Sequence, residues 1–430
     1  MSRSITRRCF LQSTAVGMAG FWLAAEASKA RATSPNEKLD IGIIGVANRG
    51  ADNLRGVSSQ NIVALCDVDE NYLSAAAQNY PSAKTYHDFR KLLEQKGLDA
   101  VVISTPDHTH APATILALQA GLHVYCEKPL THSVYEARVV AELAKKHRCI
   151  TQMGTQIHAG SNYRRVVELV KSGAIGKVAE VHVWVSGGYA GGDRPADTPP
   201  VPPHLHWDLW LGPAPVRPYH PAYVPFHWRG WWDFGNGTLG DMACHHMDLP
   251  YWALDLRHPL TIESEGPPVH PESCPPWLIV RYQYPARGEQ PPISLTWYNG
   301  DKRPPYFAEG KLPSDWSAGT LFIGEKGMLL ADYNRHMLLP EKEFVGFEPP
   351  KPFIPESIGH YNEWIEACKT GGTTTCNFDY SGALTEAVLL GNVAYRTGQK
   401  LEWDAQNLKA TNCPEADRLL RREWRKGWGM

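Results

Sequence analysis

Four short apolar runs in the first third of this chain, each followed by a helix-like stretch, limit its fold more than any other feature. They are IGII, NIVALC, LDAVVIS and LHVYC, at residues 41–44, 61–66, 98–104 and 122–126. Runs of this length without polar alternation are typical of parallel strands that are buried on both faces. Their alternation with helices predicts a doubly wound α/β domain, whose ligands bind outside the carboxyl ends of the strands.

The turn after the first run has the sequence Gly45-Val46-Ala47-Asn48-Arg49-Gly50. It is one residue away from the G-x-G-x-x-G pattern, in which the glycines allow a tight turn and a close approach of the backbone to a pyrophosphate at a helix N-terminus. Alanine in place of the second glycine leaves less room. The turn by itself therefore leaves a dinucleotide site and an ordinary strand-to-helix turn both open.

The second run ends at Asp67, which lies 22 residues after Gly45. A carboxylate at this distance is placed to accept hydrogen bonds from the adenosine ribose hydroxyls, and its charge would repel a 2′-phosphate. The alternative is an aspartate that only caps the following helix. Together with the glycine turn, Asp67 predicts a dinucleotide site that prefers NAD to NADP.

Polar residues also follow the third and fourth runs. Thr105 and His110 come after the third run, and Glu127 and Lys128 come after the fourth. A lysine at the end of a buried strand is partly desolvated, which predicts a lowered pKa. Such a lysine is suited to polarising or deprotonating an alcohol.

The stretch STPDHTHAPATILALQAGLHVYCEKPLT, residues 104–131, resembles the Gfo/Idh/MocA family of sugar and cyclitol oxidoreductases. The hallmark tripeptide E-K-P is Glu127-Lys128-Pro129, and the T-P-x-x-x-H stretch runs from Thr105 to His110. The resemblance implies that Lys128 reaches both the nicotinamide and the substrate. The predicted cofactor contacts are Gly45, Ala47, Asn48, Arg49, Gly50, Asp67, Thr105, Pro106, His110, Glu127, Lys128 and Gln156.

The segment ITQMGTQIHAG, residues 150–160, resembles the strand with which this family leaves its nucleotide domain. The resemblance implies that the side-chain amide of Gln156 lies near the nicotinamide ribose. His158, two residues further on, either faces the substrate or has no role. We expect a nucleotide domain over residues 38–157 and a second domain over residues 158–430.

The second half of the chain contains several alternating, strand-like segments with few helices between them. This pattern predicts a large, mostly antiparallel open sheet. The resemblance implies that this α+β domain binds the substrate and forms the interfaces of a homo-oligomer, a dimer or a tetramer. A final amphipathic helix is predicted over residues 380–398.

The sequence GNGTLGDMACHHMD runs from Gly235 to Asp248 and concentrates glycine, aspartate and histidine. A glycine turn followed by a helix that begins at Asp241 would place Asp241 and His245 on one face, four residues apart. Three interpretations compete, namely a metal site, a plain helix start and an acid/base pair. A metal needs three or four converging ligands, and the spacing supplies two, so no metal is predicted here.

The Gfo/Idh/MocA family carries a G-G-G-x-x-x-D-x-x-x-H element at this place. Gly235, Gly237, Asp241 and His245 match it, and Asn236 departs from it. Oxidation of a secondary alcohol needs a base for the hydroxyl proton, and a histidine oriented by a carboxylate is suited to that role. The predicted catalytic residues are therefore Lys128, Asp241 and His245.

Tryptophans are interleaved with Arg229 in the segments HWDLWLGPAP and PFHWRGWWDF. Aromatic faces and a guanidinium suit a carbohydrate, although core packing is the alternative for most of the tryptophans. The predicted substrate contacts are Lys128, His158, Trp207, Arg229, Trp232, Asp241 and His245.

Residues 1–32 have the order of an export signal, with a paired arginine at positions 7 and 8, an apolar stretch and small residues. The twin arginine predicts export of the folded protein to the periplasm or another extracytoplasmic space. With Cys9 in the signal, eight of the nine cysteines remain, in no disulfide-like spacing. The balance of 43 basic and 45 acidic residues gives no basic field for nucleic acid, and no apolar run is long enough to hold the mature protein in a membrane.

These features predict an exported, NAD-dependent oxidoreductase that acts on a secondary hydroxyl of a sugar or cyclitol. Outside the cytoplasm there is no comparable pool of NAD, so we expect the cofactor to stay bound and to be recycled. The alternative is a redox-neutral glycosidase, which uses NAD transiently to cleave a glycoside by oxidation and elimination. A dinucleotide-binding regulator without activity is disfavoured by the presence of Lys128, Asp241 and His245 together.

Overall fold

The computed structural model describes residues 37–429. The predicted export signal, residues 1–32, lies outside this range. Among residues 37–429, no helix is long and apolar enough to cross a membrane.

The amino-terminal half forms a six-stranded parallel sheet with helices between successive strands, in the order β3-β2-β1-β4-β5-β6. All four apolar runs become strands of this sheet and are buried. Its elements are β1 (Asp40–Ile44), α1 (Arg49–Gly56), β2 (Asn61–Cys66), α2 (Glu70–Asn79), β3 (Lys84–Tyr86), α3 (Phe89–Leu93), β4 (Ala100–Ile103), α4 (Asp107–Gln119), β5 (His123–Cys126), α5 (Val134–His147) and β6 (Thr151–Met153).

The second half forms a nine-stranded sheet in the order β13-β12-β11-β7-β10-β9-β8-β14-β15. Its strands pair antiparallel except for β7 and β10, which are parallel. The strands are β7 (Val178–Ser186), β8 (Thr261–Glu265), β9 (Ile279–Tyr284), β10 (Ile293–Gly300), β11 (Ala318–Gly324), β12 (Gly327–Ala331), β13 (His336–Leu339), β14 (Leu401–Asp404) and β15 (Lys409–Ala410). The helices are α6 (Ser161–Lys171), α7 (Trp207–Leu211), α8 (Gly237–His246), α9 (Asp248–Ala253), α10 (His360–Thr370), α11 (Phe378–Thr397) and α12 (Asp417–Leu420). The predicted fold class, a Rossmann domain followed by a domain with a mostly antiparallel open sheet, is confirmed.

Helix α11 differs from the predicted amphipathic helix over residues 380–398. It begins at Phe378, with the Asn377 side chain accepting hydrogen bonds from the backbone N–H groups of Asp379 and Tyr380, and it is buried on nearly every side up to Tyr395. It packs against α5 of the nucleotide domain and against α8 and β8 of the second domain. A helix enclosed between two domains has no solvent face, so an amphipathic pattern is not needed.

A proline- and tryptophan-rich segment, residues 196–226, returns from the second domain to the nucleotide domain. We call this segment the strap. Its backbone pairs with the segment after β2, because the Glu70 N–H donates to the His204 carbonyl (2.8 Å) and the His206 N–H donates to the Val68 carbonyl (2.9 Å). The strap therefore covers the carboxyl end of β2, next to Asp67.

Candidate active site

A cleft of about 810 Å³ lies between the carboxyl ends of the parallel strands, the strap and helix α8. This volume is in the range of small-molecule and cofactor sites. Of the predicted site residues, the cleft is lined by Gly45, Ala47, Asn48, Arg49, Asp67, Thr105, Pro106, Glu127, Lys128, Gln156, Arg229, Asp241 and His245. It is not lined by Gly50, His110, His158, Trp207 or Trp232.

The glycine-rich turn is shaped by close backbone contacts. Gly45 has a φ of +86°, and a Cβ added there would lie 2.7 Å from the Ser104 carbonyl oxygen. A Cβ on Gly50 would lie 2.1 Å from the Gly45 carbonyl oxygen, so Gly50 packs beneath the turn and does not contact the cleft. The turn leads directly into α1, as a pyrophosphate site requires. Ala47 lines the cleft without closing it, so the departure from glycine is accommodated.

Asp67 lines the cleft and also holds the turn in place. Its carboxylate accepts hydrogen bonds from the backbone N–H groups of Val46 and Asp69, each at 3.0 Å. Burial raises the pKa of Asp67 to about 6, although these hydrogen bonds act in the opposite direction. The buried hydroxyl of Thr105, another residue that lines the cleft, has no hydrogen-bond partner within residues 37–429. A bound dinucleotide would offer ribose hydroxyl groups to the Asp67 carboxylate and oxygen acceptors to the Thr105 hydroxyl, so the residues fit this cofactor.

Glu127 is fixed by a buried network below the cleft. Its Oε1 accepts hydrogen bonds from the side-chain amides of Asn53 (3.0 Å) and Gln156 (2.8 Å). Burial raises the pKa of Glu127, and the neighbouring Lys128 opposes that shift. The network orders the floor of the cleft at the end of β5.

His110 does not line the cleft, which corrects its prediction as a cofactor contact. Its ring lies between two backbone carbonyl oxygens, those of Pro129 and Thr105, each 2.7 Å from a ring nitrogen. The histidine therefore joins the loop after β4 to the loop after β5. Its contacts are with the backbone of Thr105 and Pro129, beneath the residues that line the cleft.

Lys128 and Asp241 meet at the inner end of the cleft. The Lys128 ammonium donates to Asp241 Oδ1 at 2.6 Å and to the Asp241 carbonyl at 2.8 Å, and Arg229 Nε donates to the same carboxylate at 3.2 Å. Burial acts to lower the pKa of Lys128, but Asp241 outweighs it and the pKa lies above its ordinary value. This corrects the predicted lowered pKa, because the desolvated lysine has a buried carboxylate as its partner.

Asp241 is ionised at neutral pH, since Lys128 and Arg229 lower its pKa to about 2 against the opposing effect of burial. Helix α8 begins at Gly237, one turn before the predicted start at Asp241. Asp241 and His245 are still on one face and both line the cleft. However, the carboxylate is directed to the two cations, so it does not orient His245 as predicted.

His245 is an unengaged imidazole in the cleft. Its Nδ1 is buried and makes no hydrogen bond to any residue that the structure describes. Burial and the neighbouring Lys128 lower the pKa of His245 well below its ordinary value. The ring is therefore neutral at neutral pH and available to accept a proton.

His158 has a structural role instead of the predicted contact with substrate. Its ring is 1% exposed, its Nδ1 lies 2.9 Å from Asp248 Oδ2, and it stacks on Trp252 with ring centroids 4.0 Å apart. The Tyr380 hydroxyl donates to the same carboxylate at 2.7 Å. This cluster lies in the interior of the second domain.

The predicted contacts of Trp207 and Trp232 with substrate are also corrected, because both side chains are buried away from the cleft. Trp207 stacks on Trp210, with ring centroids 4.8 Å apart, in an aromatic cluster formed largely by the strap itself. Trp232 donates its indole N–H to the His270 carbonyl at 3.0 Å. The tryptophans that line the cleft are Trp210 and Trp228.

Asp107 lines the cleft and was not among the predicted site residues. It is 4% exposed and accepts a hydrogen bond from the Asn236 side-chain amide at 3.2 Å. Burial, together with the charge of Asp241, raises the pKa of Asp107 to about 7. Asp107 could have been predicted as a site residue from its position in the T-P-D sequence directly after β4, at a carboxyl end of the sheet.

Two family models together match nearly all of the described chain. Residues 39–155 match a model described as an oxidoreductase family, NAD-binding Rossmann fold. Residues 159–430 match a model described as an oxidoreductase family, C-terminal alpha/beta domain. Both models belong to the Gfo/Idh/MocA family.

Among curated proteins, an inositol 2-dehydrogenase of Salmonella paratyphi B is 32% identical over 150 residues, which are 34% of this chain and 45% of that protein. The match thus spans about half the length of the relative. The WlbA dehydrogenase from Bordetella pertussis, solved with NADH and UDP-GlcNAcA, is similar with a TM-score of 0.62 and 16% identity over 86% of this chain and 98% of the other. A levoglucosan dehydrogenase solved with NADH and levoglucosan has a TM-score of 0.58 and 16% identity, over 85% and 99% of the two chains. With both of its domains matched, the chain belongs to the Gfo/Idh/MocA oxidoreductase family.

Proposed function

We propose that this protein is an NAD-dependent oxidoreductase that oxidises a secondary hydroxyl of a sugar or cyclitol. The observation that carries the proposal is the convergence of three groups in the cleft, namely a charged Lys128, an ionised Asp241 and a neutral His245. This set supplies a hydrogen-bond donor for the substrate oxygen and an acceptor for its proton. The names of the inositol and levoglucosan dehydrogenases to which the chain is similar agree with this chemistry.

NAD, when bound in the cleft, supplies the hydride acceptor. His245, whose ring lines the cleft, accepts the hydroxyl proton. Lys128 donates a hydrogen bond to the same hydroxyl oxygen and stabilises the negative charge that develops there. Asp241 holds the ammonium in place and keeps it charged, and Arg229, which packs on the Trp228 ring at 4.3 Å, borders the substrate end of the cleft.

NAD is favoured over NADP in this proposal because the Asp67 carboxylate stands where an adenosine ribose is expected. An ionised carboxylate would repel a 2′-phosphate. Titration of the protein with each cofactor, followed by the change in intrinsic fluorescence, tests this preference. Equal or tighter binding of NADP would contradict it.

Export is part of the proposal and is supported by the Arg7-Arg8 pair in the first 32 residues. A protein that folds before export can take its NAD with it. We infer that the cofactor remains bound and returns to its oxidised state in each cycle, by passing the hydride to a second sugar or back to the same substrate after a bond has been cleaved. Extensive dialysis of the purified protein, followed by mass spectrometry of the denatured sample and an assay without added cofactor, tests retention. An empty protein that works only by consuming free NAD would contradict recycling and leave the oxidation itself intact.

Redox-neutral glycoside cleavage is the second candidate, and Asp107 favours it. A carboxyl group with a pKa of about 7 in the cleft is suited to protonating a leaving group. A panel of free sugars, cyclitols and aryl glycosides distinguishes the two candidates. Release of the aryl group from a glycoside indicates cleavage, whereas conversion of a free polyol to its ketone, detected by mass spectrometry, indicates oxidation.

We also propose that the protein is a homo-oligomer, a dimer or a tetramer. The support is the family resemblance of the nine-stranded sheet domain. Light scattering on the eluting protein gives the molar mass directly, and a mass of one chain across micromolar concentrations would contradict the proposal.

A further inference from the structure

Three potential metal ligands converge where the strap meets the nucleotide domain. Glu70 at the start of α2, His87 after β3 and His206 of the strap offer ligand atoms that all lie within 4.8 Å of one another. Glu70 Oε1 lies 2.9 Å from His87 Nε2 and 3.4 Å from His206 Nε2. The two imidazole rings are stacked with centroids 4.2 Å apart.

The second ring nitrogen of His87 shows how this histidine is oriented. His87 Nδ1 lies 3.1 Å from the Asp67 carbonyl oxygen. A carbonyl oxygen only accepts hydrogen bonds, so Nδ1 carries a hydrogen and, in the neutral ring, Nε2 presents its lone pair to Glu70. Metal-binding histidines are commonly oriented in this way, with the second nitrogen donating to a backbone carbonyl.

A lone pair that faces a carboxylate at 2.9 Å needs a cation between the two groups. A single divalent ion bound to all three groups would lie between the carboxylate oxygen and the two imidazole nitrogens, which are already within 4.8 Å of one another. The arrangement therefore fits a metal ion.

We propose that Glu70, His87 and His206 bind a divalent transition-metal ion such as Zn²⁺. Tetrahedral Zn²⁺ with bonds of roughly 2.0–2.1 Å separates its ligand atoms by about 3.4 Å. The distance from Glu70 to His206 already has this value, and the distance from Glu70 to His87 needs to open by about half an ångström. The side chains are 46%, 32% and 41% exposed, so water can reach the fourth position and the ion can enter from solvent.

The ion would join two parts of the chain that form the wall of the cofactor cleft. His206 belongs to the strap, Glu70 and His87 belong to the nucleotide domain, and His87 contacts the backbone of Asp67. The neighbouring His204 and His87 both line the cleft. Metal binding therefore holds the strap closed beside the adenosine end of the site and slows the release of the dinucleotide. This effect on release depends on the proposed NAD binding, whereas the metal site does not.

Calorimetric titration of the full chain with ZnCl₂, after treatment with a chelator, tests the site itself. We expect one equivalent to bind with a dissociation constant in the micromolar range or below, and His206→Ala and Glu70→Gln to weaken binding at least 10-fold. His220→Ala is the matched control, because His220 lies on the strap but pairs with Asp197. Zinc binding to His206→Ala and Glu70→Gln as tight as to the unaltered protein would overturn the proposal.

The rate of NAD release, followed by dilution of the loaded protein into a trap for free NAD, tests the effect on the strap. ZnCl₂ should slow release at least fivefold in the unaltered protein and in His220→Ala, and a chelator should reverse this change. His206→Ala should release NAD at the same rate with zinc as without it. Stoichiometric zinc binding with no change in release would support the metal site and overturn its role in closing the strap.

Discussion

Two sets of histidine and aspartate lie in the second domain, and they are built in opposite ways. In the interior, His158 and Asp248 are each 1% exposed, in direct contact at 2.9 Å, and fixed further by Trp252 and Tyr380. In the cleft, the Asp241 carboxylate is bound by Lys128 and Arg229, and His245 is left without a hydrogen-bond partner at Nδ1 among the described residues. The same two residue types thus form a closed structural pair in one place and an open reactive set in the other.

The difference depends on which side chains bind each carboxylate. Asp248 is held by the imidazole and a tyrosine hydroxyl, so its histidine is fully engaged. Asp241 is held by an ammonium and a guanidinium, which leaves the imidazole of His245 free. Burial, together with the charge of Lys128, lowers the pKa of His245. A histidine remains available for proton transfer when the neighbouring carboxylate is bound by other side chains.

Replacement of Lys128 by Met should have the largest effect on the open set. It removes the hydrogen bond to the substrate oxygen and leaves the buried Asp241 with Arg229 alone. We expect kcat/KM to fall by about 10³–10⁴. Steady-state kinetics on a substrate from the polyol panel measures this change. Lys171→Met, which removes an exposed ammonium paired with Asp255, is the control, and an equal loss in both variants would contradict the role of Lys128.

His245→Ala should lower kcat by about 10²–10³, because the acceptor of the hydroxyl proton is lost. The NAD content of the purified variant should stay close to that of the unaltered protein. His158→Asn, corrected for the fraction of folded protein that carries NAD, should keep near-normal kcat. Near-normal turnover in His245→Ala would assign the proton transfer to another group.

The closed pair should show its importance in stability. Asp248→Ala leaves the buried His158 ring and the Tyr380 hydroxyl without their partner, and we expect the free energy of unfolding to fall by about 3 kcal/mol. Urea denaturation followed by circular dichroism measures it. Asp301→Ala, at a carboxylate that is 75% exposed, should cost less than about 1 kcal/mol. If Asp248→Ala lowered the free energy of unfolding as little as the exposed control does, the buried pair would not stabilise the fold.

Asp107 belongs to neither set. Its effect on the free energy of unfolding should be the smallest of these effects and should depend on pH. Its pKa is about 7 in the folded protein and near 3.8 when unfolded, so the folded state binds more protons between these values and loses stability as the pH rises. From pH 5 to 6.5 the free energy of unfolding should fall by about 2 kcal/mol relative to Asp107→Asn. Urea denaturation of the cofactor-free proteins at several pH values measures this difference. Parallel pH profiles for the two proteins would contradict the raised pKa.

Much of the fold follows from local pattern. The four apolar runs predict the parallel sheet, because strands that are buried on both faces show no polar alternation. Gly45 and Asp67 predict the end of the sheet at which the cofactor binds, because the turn there needs a glycine with positive φ and a carboxylate that accepts backbone N–H groups. The buried helix α11 shows the limit, since its environment is set by two domains that are distant in sequence. Its apolar residues predict a helix but not what surrounds it.

The site was predictable where residues follow the ends of strands, as for Glu127, Lys128 and Thr105. The hydrogen-bond partners of the site residues were not predictable where a side chain has several possible partners in the folded chain. The spacing of Asp241 and His245 indicates a shared face, but only the folded chain brings Lys128 and Arg229 to the carboxylate. For the same reason the sequence gives no sign that His158 is engaged by Asp248, 90 residues away.

The reactive role of His245 is tested most directly by a single turnover of NAD-loaded protein, followed by absorbance of the reduced nicotinamide after rapid mixing with the most active polyol. We expect the unaltered protein and His158→Asn to form NADH at similar rates and His245→Ala to form it at least 100-fold more slowly, because a positioned base is lost. Slow NADH formation in His158→Asn together with normal NADH formation in His245→Ala would contradict this role and assign the reaction to the buried histidine.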